Sequence, residues 1–178
     1  MLESESQARE SFNQAVVPHL DAAYNLARWL AKNEHDAEDI VQEACLRALK
    51  YIRSRGEGDS RAWLLRIVRN TFYDSRRHSS RESAEPFDTA VRNVASSAPG
   101  PETDLFREMD VELLRNAIQD LPDEYREVIV LREMEGLQYE NIAEIANIPM
   151  GTVMSRLSRA RTRLQEMLTQ KGPKGAAK

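Results

Sequence analysis

The residues Ala37, Ile40, Val41, Ala44, Cys45, Ala48, Leu49 and Ile52 recur at steps of three and four. A strand buries every second side chain, whereas an α-helix buries a stripe that returns about every 3.6 residues. The spacing therefore predicts an amphipathic helix from about Asp36 to Ile52, with Asp39, Gln42, Glu43 and Leu46 on its other face. Upstream, Phe12, Ala15, Val16, Leu20, Ala23, Tyr24, Ala27 and Leu30 keep the same rhythm, and Pro18 should break or kink that segment. A chain written in this period has little to build a sheet from. With only 7 glycines and 7 prolines in 178 residues, turns are too sparsely signalled for a sandwich or barrel. The fold class expected is all-α.

After Ile52, SRGEGDS at residues 54–60 reads as a loop, and Ser60 is placed to cap the next helix. That helix runs through RAWLLRIVRNTFYDSRR, with Trp63, Leu64, Ile67, Val68 and Thr71 as its buried stripe. Residues 79–104 are rich in Ser, Ala, Pro and acids and carry no long apolar stripe, which suits a linker. Helical spacing resumes near Leu105 and stops at Leu121-Pro122, because the residue before proline is pushed out of the α region. A helix from about Asp123 to Met134 should end at Gly136, with Tyr125, Val128, Ile129 and Val130 as core candidates. A short helix over Tyr139–Ala146 and a turn at Asn147 and Pro149 lead to a last helix over about Gly151–Leu168. The chain thus divides into a helical domain at residues 10–78, a linker at 79–104 and a second helical domain at 105–170.

Composition narrows the setting. Cys45 is the one cysteine, so no internal disulfide can form and a reducing compartment is expected. No apolar run approaches the roughly 18–20 residues needed to span a bilayer. The opening MLESESQARE lacks the basic-then-apolar order of a signal peptide. Cytoplasm follows by elimination. The net charge of −4 would argue against nucleic acid, except that the charges are segregated along the chain and local patches decide binding.

Three stretches concentrate that charge. The first, YENIAEIANIPMGTVMSRLSRARTRL at 139–164, reads as short helix, tight turn, longer helix. Asparagine tolerates the left-handed conformation that the turn should need at Asn147. On the last helix Val153, Leu157, Ala160, Leu164 and Leu168 should pack inward, while Arg156, Arg159 and Arg163 share an outward face. Ser155, Ser158 and Thr162 lie near that face. Arginines supply phosphate contacts and bidentate contacts to guanine, so a helix-turn pattern followed by this face points to DNA. A basic helix alone would equally well be an ordinary solvated face.

In the second stretch, residues 61–81 hold six arginines and one acid, Asp74. Arg66, Arg69, Asn70, Tyr73 and Arg77 lie off the apolar stripe, and rings interleaved with cations suit nucleic acid. Trp63 is on the stripe and reads as core. In the third, Asp36, Asp39 and Glu43 share one helix face. An exposed face offers no pocket to push carboxylate pKa values apart, and His35 has no second histidine at ligand spacing. A solvated face and a docking face for a basic partner remain equally open.

Together these stretches resemble the extracytoplasmic-function sigma factors of the sigma-70 family. DAEDIVQEACLRAL is similar to their polymerase-docking helix and RAWLLRIVRNTFYDSRR to the helix that engages the minus-ten promoter element. LPDEYREVIVLREMEGLQYENIAEIANIPMGTVMSRLSRAR resembles their C-terminal promoter-reading domain. The match covers most of residues 11–168 in family order. It implies a non-enzymatic initiation factor with no cofactor and no bound metal. Its partners would be core RNA polymerase through the β′ and β subunits, promoter DNA and an anti-sigma factor. By the same resemblance Asp36, Asp39, Gln42 and Glu43 would contact polymerase. Arg66, Arg69, Asn70, Arg76 and Arg77 would hold the minus-ten element, with the loop at 54–60 capturing a flipped base. Thr152, Ser155, Arg156, Ser158, Arg159 and Arg163 would serve the minus-thirty-five element. Met154 stands where relatives often carry a basic residue. Two rival readings are a sigma-mimicking decoy for an anti-sigma factor and a conventional operator-binding regulator. The first should not need its basic faces, and the second leaves the acidic helix without a task.

Overall fold

The structure is a computed structural model describing the backbone of residues 2–82 and 102–171. Among the described residues there are helices and no strands. In chain order they are α1 (Leu2–Ala15), α2 (Leu20–Ala31), α3 (Glu34–Tyr51), α4 (Ser60–Glu82), α5 (Glu102–Asp120), α6 (Asp123–Ile129), α7 (Tyr139–Ala146) and α8 (Met150–Lys171). Most of the expected linker lies outside the described residues; at its two ends α4 runs on to Glu82 and α5 starts at Glu102.

Pro18 acts as its ring geometry requires. It sits in a single 3-10 turn, Val17–His19, that separates α1 from α2. Asn33 opens α3 by accepting a bond from the Asp36 amide at 2.8 Å, while its own amide donates to the Asp36 carboxylate at 2.7 Å. The cap of α4 differs from expectation. Asp59, not Ser60, supplies it, its carboxylate accepting from the Arg61 amide at 2.8 Å. Ser60 is already the first helical residue, and the oxygen two places before the exposed amide is the one in reach.

Helices α2, α3 and α4 pack on one another around Leu26, Leu30, Ile40, Leu64, Leu65 and Val68, all buried. Each such side chain contributes about 1.5–3 kcal/mol on leaving water. Leu65 was not on the expected stripe, so α4 is apolar over a wider arc than its spacing suggested. Leu49 departs the other way: it was expected inside and is exposed.

In the C-terminal half, α5, α6 and α7 each pack on α8. The turn at Val130–Met134 widens to π-helical spacing before Gly136, whose φ of 65° reverses the chain. Asn147 adopts φ 52°, as the turn required. Its amide donates to Glu144 and that of Ile148 to Ala143, the paired closing bonds of a Schellman motif. That turn sets the angle between α7 and α8.

The two halves also touch. Helix α4 packs against α7, and α2 against α6. The apolar core is continuous across them.

Candidate nucleic-acid interface

On α8 the inward stripe is as the spacing predicts: Val153, Leu157 and Ala160 are buried, with Leu164 half-buried below them. The arginines do share a face, but that face turns toward α6. Arg156 is half-buried and pairs with Glu124 at 3.1 Å. Arg163 places its guanidinium over the Tyr125 ring, 5.1 Å from the centroid. Arg159 and Arg163 are both exposed, and Arg159 has no described partner of its own on α6. Ser155 and Ser158 are exposed, and Thr152 is partly so. Arg161, absent from the sequence-derived set, is exposed and pairs with Glu133 at 2.6 Å.

The α4 arginines are not open to solvent as a set. Arg69 donates to Glu127 of α6, and the Tyr73 hydroxyl lies 3.3 Å from the other oxygen of the same carboxylate. Arg76 pairs with Asp123. Arg66 faces Glu144 of α7 at 3.7 Å. Arg61, not singled out in the sequence, joins Asn25 of α2 in bonding Glu135. Only Asn70 and Arg77 among the expected minus-ten residues make no contact with the C-terminal half among the described interactions; both are exposed, and Asn70 accepts from Arg69 at 3.4 Å. The sequence held one signal for this arrangement. Asp123, Glu124, Glu127, Glu133 and Glu135 form an acidic stretch whose sign complements α4.

Burial sets the electrostatics here. Glu127 is fully buried, and desolvation pushes its carboxyl above the usual carboxylate range against the opposing pull of Arg69. Burial likewise raises the Tyr73 phenol, reinforced by the Glu127 charge. Arg126 beside them is also fully buried. It donates to the Gln119 and Leu121 carbonyls at 2.9 and 2.7 Å and to the Asp123 carboxylate. These bonds close the C-terminal end of α5, whose last carbonyls have no helical partner.

The acidic face of α3 points outward. Asp39, Gln42 and Glu43 are exposed, with Leu46 beside them at 64% exposure. Asp36 is engaged in the Asn33 cap, so its first role is to start the helix. Glu43 bonds Arg47 at 2.8 Å, and Arg47 reaches Asp74 of α4 at 2.7 Å. The loop before α4 is braced by Arg55, which donates to the Gly58 carbonyl at 2.7 Å and lies 5.8 Å from the Trp63 ring centroid. Trp63 is half-buried against the core.

Comparison with known proteins bears on this geometry. Sigma-70 region 2 matches residues 15–82, and Sigma-70 region 4 matches residues 112–164. The chain is 36% identical to the ECF RNA polymerase sigma-E factor of Haemophilus influenzae, covering 90% of this chain and 88% of that protein. It is 37% identical to the ECF sigma factor EcfG of Rhodopseudomonas palustris, over 86% of this chain and 81% of that one. With the SigE protein of Mycolicibacterium smegmatis the identity is 34%, and the chain spans 63% of that relative's length. Among solved structures, the sigma factor RpoE of Bartonella quintana, in complex with the anti-sigma factor NepR, matches at a TM-score of 0.74 and 32% identity. That match covers 90% of this chain and 98% of that one. Region 2 thus falls on the α2–α4 core and region 4 on the α5–α8 core, each with its own basic helix. The chain belongs to the extracytoplasmic-function sigma factors of the sigma-70 family.

Proposed function

We propose that this chain is an alternative sigma factor that docks on core RNA polymerase and directs promoter recognition and transcription initiation, under anti-sigma control. Residues 10–78 engage polymerase and the minus-ten element, residues 105–170 read the minus-thirty-five element, and residues 79–104 link them. Asp39, Gln42 and Glu43 offer polymerase an exposed acidic face flanked by Leu46. The site of action is the cytoplasm, and the role is non-enzymatic. Among the described residues no helix is long and apolar enough to cross a membrane.

The observation that carries this reading is the cover on α4. Arg66, Arg69 and Arg76 meet Glu144, Glu127 and Asp123, carboxylates that would compete with DNA phosphates for these cations. A chain in this state binds promoter DNA poorly. Holding the two halves apart on polymerase frees α4, and the linkage then raises the effective concentration of each half for its own element. An anti-sigma factor that favours the closed pairing would keep the chain silent; the Bartonella relative was solved in complex with the anti-sigma factor NepR.

Run-off transcription with core polymerase on a promoter library tests the reading. Promoter-selective initiation is expected with the wild-type chain. Arg159→Glu should abolish it while core binding persists, and Asp39→Lys with Glu43→Lys should weaken core binding instead. Tight promoter binding by the isolated chain, indifferent to polymerase, would favour an operator-binding regulator. Anti-sigma binding without initiation would favour a decoy.

A further inference from the structure

Few side chains on the outer face of α8 remain free to read a base. Ser155 turns its hydroxyl back onto the Thr152 carbonyl at 3.0 Å, and Thr162 does the same to Ser158 at 3.1 Å. Those donors are already used. Arg156, Arg161 and Arg163 have partners in Glu124, Glu133 and the Tyr125 ring. Among residues 150–163, Met150, Met154, Ser158 and Arg159 are left, exposed and without a described side-chain bond of their own; Met150 is the first residue of the helix, and Met154 lies a turn further in, in line with Ser158. Met154 is 53% exposed, one helical turn before Ser158. It forms one wall of an open depression of about 390 Å³ shared with Tyr139, Ser158 and Arg161.

The place of Met154 matters as much as its exposure. It is the fifth residue of α8, and a recognition helix contacts base edges with its N-terminal residues. Its thioether offers no useful hydrogen-bond donor. In the major groove the one apolar group on a base edge is the C5 methyl of thymine. A long, unbranched and polarisable side chain can settle on such a methyl without demanding one geometry.

We propose that Met154 is a specificity-determining residue that reads a thymine methyl in the element bound by α8. The assignment rests on the promoter-reading role given above. Arg159, five residues on, lies about 7.5 Å further along the helix. That is about two base-pair steps of B-DNA. The thymine therefore falls within about two steps of the base or phosphate that Arg159 contacts. An apolar reader also discriminates against cytosine at that step, whose edge presents an amino donor and no methyl.

The test uses the full chain with core polymerase. The preferred element is first selected from the promoter library by run-off transcription. Each thymine on either strand is then replaced, one at a time, by deoxyuridine, which removes only the methyl. With the wild-type chain, one replacement should lower initiation about fourfold, the worth of one buried methyl. Met154→Ala should initiate on the thymine template about as the wild type does on the uracil template, and should lose sensitivity at that position alone. An element that tolerates uracil at every thymine would overturn the assignment. So would an element with no thymine near the Arg159 contact, or a Met154→Ala chain that keeps the same sensitivity. Promoter-selective initiation in those cases leaves the sigma reading standing, whereas no selective initiation on any template removes that reading and this one with it.

Discussion

Arg69 of α4 donates to Glu127 of α6 across a sequence separation of 58 residues, and the carboxylate it meets is completely buried. The guanidinium also lies over the Tyr73 ring, 4.6 Å from its centroid. Taking two charges out of water is costly, and the pair is tolerable because each charge has the other and the phenol satisfies a second oxygen. Removing one partner is therefore far worse than having neither.

Glu127→Lys should open the chain. It sets a buried ammonium against Arg69 and Arg156, and loss of one partner of such a pair costs about 3–5 kcal/mol. Small-angle scattering should report a larger radius of gyration with helix content retained by circular dichroism. The exchanged pair, Arg69→Glu with Glu127→Arg, should recover part of the compact form. An unchanged radius for Glu127→Lys would show that the pair does not hold the halves together.

Closure should also respond to pH. The Glu127 carboxyl is raised above its ordinary value of about 4.3 by burial, with Arg69, Tyr73 and Arg156 around it. A raised carboxyl binds its proton more tightly in the closed form than in an open form that exposes it. Its contribution to closure is then full below the ordinary value and is lost as pH rises through the raised one. Energy transfer between dyes on the two halves should increase on acidification through that window, and Glu127→Gln should flatten the response. A wild-type response of opposite sign would contradict the assignment to Glu127.

The flanking pairs should not be equal. Arg66 and Glu144 are 45% and 68% exposed, so solvent screens them and Arg66→Ala should shift stability by no more than about 0.5 kcal/mol. The Glu135 side chain is only 6% exposed and is shared by Arg61 and Asn25. Arg61→Ala should cost about 1–3 kcal/mol because it leaves that buried carboxylate with Asn25 and no cation. Urea unfolding of both variants, at low and at high salt, distinguishes them: the Arg66 effect should vanish in salt and the Arg61 effect should persist.

Arg126→Ala should destabilise the C-terminal half by about 3–5 kcal/mol, since it unpairs two carbonyls, empties a fully buried side-chain site and leaves Asp123 with Arg76 alone. Arg126→Lys should rescue little. An ammonium cannot reproduce a planar fork that serves three acceptors at once. Thermal denaturation followed at 222 nm checks both, and a wild-type melting temperature for Arg126→Ala would rule out the closing role.

Local features of the fold were legible because local rules decide them. Pro18 had to interrupt a helix, Asn147 could take a left-handed turn, and the apolar period fixed α3 and α8 to within a few residues. The misplaced cap shows where such rules blur, since Asp59 and Ser60 are both good caps one residue apart. Leu49 was misread because spacing defines a stripe but not how much of it a neighbour covers. The pairing of α4 with α6 and α7 was out of reach. It depends on how two halves separated by residues 79–104 meet, and charge sign alone does not choose partners. For the same reason the sequence grouped Arg156 with Arg159 although α6 claims the first and leaves the second to solvent.

The acidic cover over α4 has a consequence for where the chain spends its time. Non-specific attraction to DNA comes from cations that displace its counterions, and it grows with each phosphate neutralised. In the closed form Arg61, Arg69 and Arg76 have already been neutralised from within, and the molecule as a whole carries a net charge of −4. On the proposed reading such a molecule is expected to be repelled by the bulk of the chromosome and to diffuse past it. Its search is then for polymerase in solution rather than for a promoter along the duplex, and the order of assembly is set before any base is read.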